Sequence, residues 1–403
     1  MTTFALGIDR LLSEPELRKP LRGRRVGLLG HAGSLTQELQ HSLDALAACD
    51  DLRLTCAFGP QHGMRGEKQD NMVESGDYTD PLHGIPVYSL YGRVRRPTTD
   101  MLEGLDVLLV DLQDVGCRVY TFLTTLLHVL EDCAAAGVEV WILDRPNPAG
   151  RPVEGSLLQP GEESFVGAAR LPMRHGLTLG EAARWYAEDR QLDLALHVMA
   201  MQGYSPDAGP GFGWPLGVLP WVNPSPNASS QNMTRCYPGT VLLEGTSLSE
   251  GRGTTVPLEV VGAPGLDVRA LLAFLEETAP QWLEGCRLRP CAFEPTFHKH
   301  AGQVCEGVQI HAMAPFYRHE RFRPYRLMAL LLKAVRQIHP ELDLWRSPPY
   351  EYETHRLPID VINGGPSLRE WVDAAEPQVD ALETALQTDE REWMEARSSF
   401  LMY

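Results

Sequence analysis

Carboxylates in turn-rich text are the residues of this chain best placed by type to do chemistry. Asp111 and Asp114 stand in "VDLQDVGCRVY", Asp144 and Glu154 in "LDRPNPAGRPVEG", and Glu244 and Glu250 in "EGTSLSEGRGTTV". Paired carboxyl groups suit glycoside hydrolysis, in which one protonates the leaving oxygen and another stabilises the developing cation or activates water. Any single one is more often a loop cap or an arginine partner. Tyr88, Tyr91, Tyr120, Trp214 and Trp221 lie near these segments. Their rings could stack on a sugar or simply fill a core. A further polar segment, "GPQHGMRGEKQDN" at Gly59 to Asn71, carries Gln61, His62, Arg65, Glu67 and Asp70 directly after the apolar run "LRLTCAF".

The elements that must position these residues show in the hydropathy pattern. Through the first 150 residues, "RVGLLG", "LRLTCAF", "DVLLVDL" and "VEVWILD" alternate with helical text such as "TFLTTLLHVLEDCAAAG". Near-continuous apolar runs between amphipathic helices predict a parallel sheet covered on both faces. Open α/β sheets bind ligands outside the carboxyl ends of their strands, so Gln61, His62, Asp111, Asp114, Asp144, Arg145, Asn147 and Glu154 are expected along one edge. Residues 203–265 are rich in Gly, Pro, Ser and Asn, and their Trp214, Trp221 and Tyr237 argue for a packed functional loop rather than a linker. From Leu266 a helix, two strand-like runs ("CAFEPTF", "GVQIHAM") and further helices suggest a smaller α+β unit. The expected fold class is therefore α/β, a Rossmann-like domain over 1–262 followed by an auxiliary domain over 263–403.

Several function classes lose their support. The first strand-to-helix turn reads "GLLGHAGSLT", with glycines spaced by three, so the dinucleotide fingerprint fails; no GxxxxGK[ST] or GxSxG is present either. His298, His300, Cys305 and His311 do not have zinc-site spacing, and neither a metal nor a cofactor is expected. A net charge of −17 opposes nucleic-acid binding. No apolar stretch approaches the roughly 20 residues that span a bilayer, so no membrane partner is expected. Eight cysteines without a CxxC pair, and N-terminal text with no cationic start and apolar core, lead to the expectation of a cytoplasmic protein.

Taken together, "VGLLGHAGSL", "FGPQHGMRGE", "GIPVYSLYG", "LLVDLQDVGCRVYTFLTTL", "ILDRPNPAGRPVEG", "NPSPN", "YPGTVLLEGTSLSEGRGTTVPLEVVGAP", "CEGVQIHAM" and "IDVINGG" resemble the NamZ-type (YbbC-like) exo-β-N-acetylmuramidases, formerly a domain of unknown function. The resemblance covers almost the whole chain. It implies a Rossmann-like catalytic domain, a smaller C-terminal domain, a cleft between them, and release of N-acetylmuramic acid from peptidoglycan fragments in cell-wall recycling, the partner being a muramyl sugar. It also implies a catalytic glutamate before the His-Gly of the strand-end motif, and the matching position in this chain is Gln61. An amide cannot act as a general acid or base. Three outcomes follow: Glu67 or Asp70 takes the role, Asp114 or Glu154 takes it while Gln61 holds the substrate, or the protein binds sugar without cleaving it. As substrate-binding residues, the resemblance and the edge position suggest His62, Arg65, Arg118, Tyr120, Asn147, Asn227, Glu250 and Arg252, with Arg118 expected to pair with a carboxylate.

Overall fold

The apolar runs become β1 (Arg25–Gly30), β2 (Arg53–Gly59), β3 (Tyr78–Thr79), β4 (Pro86–Ser89), β5 (Val107–Asp111) and β6 (Glu139–Leu143). A separate hairpin of β7 (Glu154–Leu157) and β8 (Pro172–Arg174) precedes β9 (Leu196–Met199). In this computed structural model, which describes residues 4–66, 68 and 73–403, all but the hairpin join one seven-stranded sheet ordered β3-β4-β2-β1-β5-β6-β9. Every pairing in it is parallel except β3 with β4. Growth of the sheet reverses direction between β1 and β5, the kind of switch point where a crevice opens outside the strands' carboxyl ends.

Successive strand residues face opposite sides, which explains the unbroken apolar text. Leu28, Leu109 and Trp141 pack on one face with Ile8, Leu11, Leu43 and Leu46 of the helices Gly7–Ser13 and Ser42–Ala47. Leu29, Leu108 and Ile142 pack on the other with Leu123, Leu126 and Leu130 of the helix Thr121–Ala136. Each such side chain contributes about 1.5–3 kcal/mol by leaving water.

The segment rich in Gly and Pro is ordered by its aromatics. Trp214 and Trp221 meet edge to face at 4.8 Å, and their indole nitrogens donate to the carbonyls of Leu219 and Ala228, both at 3.0 Å. A buried helix, Gln231–Thr240, follows. The second sheet is antiparallel in the order β10-β12-β11, from β10 (Val260–Ala263), β11 (Arg287–Phe293) and β12 (Cys305–His311). Its first three residues, Val260 to Gly262, precede the expected division between residues 262 and 263. The helix Pro324–Ile338, with 12 of its 15 residues buried, ties the halves together. One apolar cluster runs from Leu29 and Val110 through Met233 and Tyr237 to Tyr325 and Leu330.

Candidate active site

Off the carboxyl ends of β2 and β5 lies a cleft. Gln61 and His62 from the loop after β2, and Tyr120 and Thr121 at the start of the helix Thr121–Ala136, form its sheet side. Asn227, Tyr237, Glu244, Arg252, Tyr350 and Glu351 face them from the later half of the chain. The loop turns sharply after β2 because His62 (φ 72°) and Gly63 (φ 81°) are both left-handed, a conformation glycine accepts freely and histidine does not.

Gln61 is held at both ends of its amide. Thr121 Oγ1 donates to its Oε1 at 2.7 Å, and its Nε2 donates to Glu351 Oε1 at 3.3 Å. The Tyr91 hydroxyl donates to the other oxygen of Glu351 at 2.8 Å. Glu351 is only 4% exposed. Burial pushes its carboxyl up to about 7; the Glu244 charge adds to the rise, while the hydrogen bonds from Tyr91 and Gln61 oppose it. Glu244 has different surroundings: Arg252 Nη2 donates to one oxygen at 2.6 Å and the Tyr350 hydroxyl to the other at 2.8 Å. Among the described residues the cleft thus holds two carboxyl groups in unlike environments, one kept neutral toward neutral pH and one matched to a guanidinium, an arrangement suited to acid–base chemistry on a polar substrate. Tyr91, Phe165 and Tyr352 cluster beside it at 5.6–6.2 Å, with the Arg95 guanidinium 3.8 Å from the Tyr352 ring centre.

Of the residues singled out from sequence, Gln61, His62, Tyr120, Asn227, Tyr237, Glu244 and Arg252 line this cleft. Several others lie off its lining. Glu154 is fully buried beneath the helix Pro324–Ile338, accepting the amides of Tyr325 and Arg326 at 3.0 and 2.9 Å, which corrects its expected position at a substrate edge. Asp114 accepts the Gly116 amide at 2.6 Å and lies 3.4 Å from His175 Nε2, off the cleft lining. Arg118 pairs with no carboxylate among the described residues: its Nη atoms donate to the carbonyls of Ser156, Leu171, Ile362 and Asn363, and burial lowers its pKa to about 10. Asn147 fixes its own loop through Ala149, Gly150 and Leu177. Arg65 turns outward to Asp44 at 3.0 Å. Glu250 sits behind Arg252; burial opposes its charge, yet Lys299, His298 and Arg252 hold its carboxyl far below the usual range. Glu67 and Asp70 lie outside the described residues.

Sequence reasoning missed Glu351, Tyr350 and Thr121. The only local signal was "PPYEYE", a glutamate between tyrosines after two prolines. Away from the cleft, Asp207, His319 and Glu320 bring potential metal-ligating atoms within 4.8 Å of one another. Burial, together with the nearby charges of Arg174, Arg235 and Arg323, drives the His319 pKa down to about 3, and those three guanidiniums oppose a further cation there.

Comparison with known proteins agrees with this architecture. The family models for exo-β-N-acetylmuramidase NamZ match the N-terminal part over residues 26–232 and the C-terminal part over 235–403. A peptidoglycan β-N-acetylmuramidase NamZ from Bacillus subtilis is 39% identical over 337 residues, which is 83% of this chain and 78% of that protein. A solved DUF1343 family protein from Bacteroides fragilis superposes with a TM-score of 0.86 at 26% identity, covering 99% of both chains. A second one from the same organism, at 23% identity, gives 0.73 over 100% of this chain and 99% of that one, and shows the fold alone.

Proposed function

The chain belongs to the exo-β-N-acetylmuramidase NamZ family, and from that premise we propose that it is a glycoside hydrolase releasing N-acetylmuramic acid from the ends of peptidoglycan fragments. The observation that carries this reading is the cleft itself, which Glu351 and Glu244 both line beside a cluster of aromatic rings. Hydrolysis of a glycosidic bond needs one carboxyl to give a proton and another group to support the attack of water. The contacts proposed for the hydroxyl and acetamido groups of a sugar are Asn227, His62 and Tyr120, which line the cleft. The 3-2-1-4-5-6 order of the parallel strands supports the Rossmann-like description of the first domain. A cytoplasmic role in cell-wall recycling, without metal or nucleic acid, completes the proposal.

Incubation of the purified protein with a 4-nitrophenyl β-N-acetylmuramide and with the muramyl–glucosamine disaccharide tests it. Release of sugar from either above a heat-inactivated control is the expected result. The neutral Gln61 favours one other reading, a sugar-binding homologue without turnover. Calorimetric binding of the disaccharide with no product would select that reading.

A further inference from the structure

We propose that Glu351, brought to the cleft from the far end of the chain, is the general acid of this enzyme, and that Gln61 is its neutral positioning partner. The assignment rests on the glycosidase reading and goes beyond it by naming the proton donor.

The geometry supports it in three ways. Glu351 lines the cleft while Glu154 and Asp114 do not. Among the described residues its carboxyl is oriented by Gln61 Nε2 and Tyr91 OH, and Gln61 is itself fixed by Thr121. Its backbone and that of Tyr352 are left-handed, with φ of 42° and 72°. Side chains other than glycine and asparagine adopt that conformation at a cost, and such costs cluster where a group must be presented to a substrate.

The identity of residue 61 then has a physical meaning. A glutamate there would put a second carboxyl against Glu351, and two such groups in a buried site share one proton. The amide donates a hydrogen bond to Glu351 instead of bringing a second carboxyl to that contact. In the reaction, the bond from the anomeric carbon to the leaving oxygen breaks with its electron pair on oxygen, which takes the Glu351 proton. A water oxygen bonds to the anomeric carbon, and its released proton goes to the Glu244 carboxylate. Exchange with solvent restores both groups.

The test compares Glu351→Gln with wild type on the disaccharide and on the 4-nitrophenyl glycoside, whose leaving group departs without a proton. Loss of a general acid should lower kcat/KM roughly 10³-fold on the disaccharide and less than about tenfold on the nitrophenyl substrate. Adding Gln61→Glu to the variant should restore part of the lost disaccharide activity, because it returns a carboxyl to the same contact. Equal losses on both substrates, or none, overturn the assignment. Should Glu351→Gln fail to fold, the wild-type pH profile decides: a basic limb near pH 7 on the disaccharide but not on the nitrophenyl glycoside is expected, and the same limb on both overturns it. A wild type inactive on both substrates sinks the glycosidase reading as a whole, an outcome distinct from an active wild type whose variant shows no leaving-group dependence.

Discussion

Glu154 and Glu351 are both buried carboxyls whose pKa is raised by desolvation, yet they face different things. Glu154 points at the start of a helix, where it accepts two backbone amides and lies 3.6 Å from Arg326. Glu351 points at a cleft, with a tyrosine and an amide on it and a second carboxylate nearby. Burial alone therefore does not mark a catalytic acid. What separates the two is the partner set: backbone donors that cannot move, against side chains around a space a substrate can enter.

The comparison breaks most directly by removing each carboxyl in turn. Glu351→Gln should lose roughly 10³ in disaccharide turnover, about 4 kcal/mol of transition-state stabilisation, while the protein stays folded. Glu154→Ala should do the reverse. It strips two amides at the helix start of their acceptor and removes one of the negative partners of Arg326, leaving Glu383 and Glu390. A loss of about 3 kcal/mol in unfolding free energy is expected, with kcat/KM per folded molecule changed less than about threefold. Urea denaturation and kinetics on both variants check this; a Glu154 variant that keeps its stability and loses turnover would reverse the two roles.

How far these roles were legible in the sequence follows from the distances involved. The sheet was readable because burial on both faces leaves apolar runs such as "DVLLVDL". The loop of Gln61 and His62 was readable because it follows β2 directly. Glu154, Asp114 and Asn147 also follow or open strands, but irregular backbone there leaves amides and carbonyls that need partners, and these side chains supply them. Arg118 does the same for four carbonyls, which no local pattern reveals. Glu351 was invisible for another reason: its contact with Gln61 spans 290 residues, and its left-handed backbone carries no glycine to announce it.

The pH dependence of stability sharpens the contrast. In the fold the Glu351 carboxyl is raised from 4.5 to about 7, so the folded state binds its proton more tightly than the unfolded chain does. The stabilisation that results is fully present below pH 4.5 and is lost as the pH climbs through about 7. Glu351→Gln removes that titration. The stability of wild type relative to the variant should fall by about 2 to 3 kcal/mol across that interval, read from urea midpoints at each pH. A constant gap would mean that the carboxyl ionises as an ordinary one and is a poor acid at neutral pH.

The smallest expected effect tests how local the difference between facing in and facing out is. Arg65 lies four residues after Gln61 in the same loop, but its guanidinium leaves the cleft for Asp44 at 3.0 Å and comes within 3.7 Å of Asp80. Its side chain is 38% exposed, and exposed ion pairs of this kind contribute about 0.2–1 kcal/mol. Arg65→Ala should therefore cost about 0.5 kcal/mol, less at high salt, and leave disaccharide kcat/KM within about twofold. Gln61→Ala, by contrast, removes a side-chain donor from Glu351 and should lower turnover by about tenfold, with the basic limb of the pH profile shifted upward because a hydrogen bond that favours the ionised carboxylate is gone. If Arg65→Ala were the more damaging of the two, the loop would act on the substrate through its outer face, and the cleft built around Gln61 and Glu351 would be the wrong place to look for the reaction.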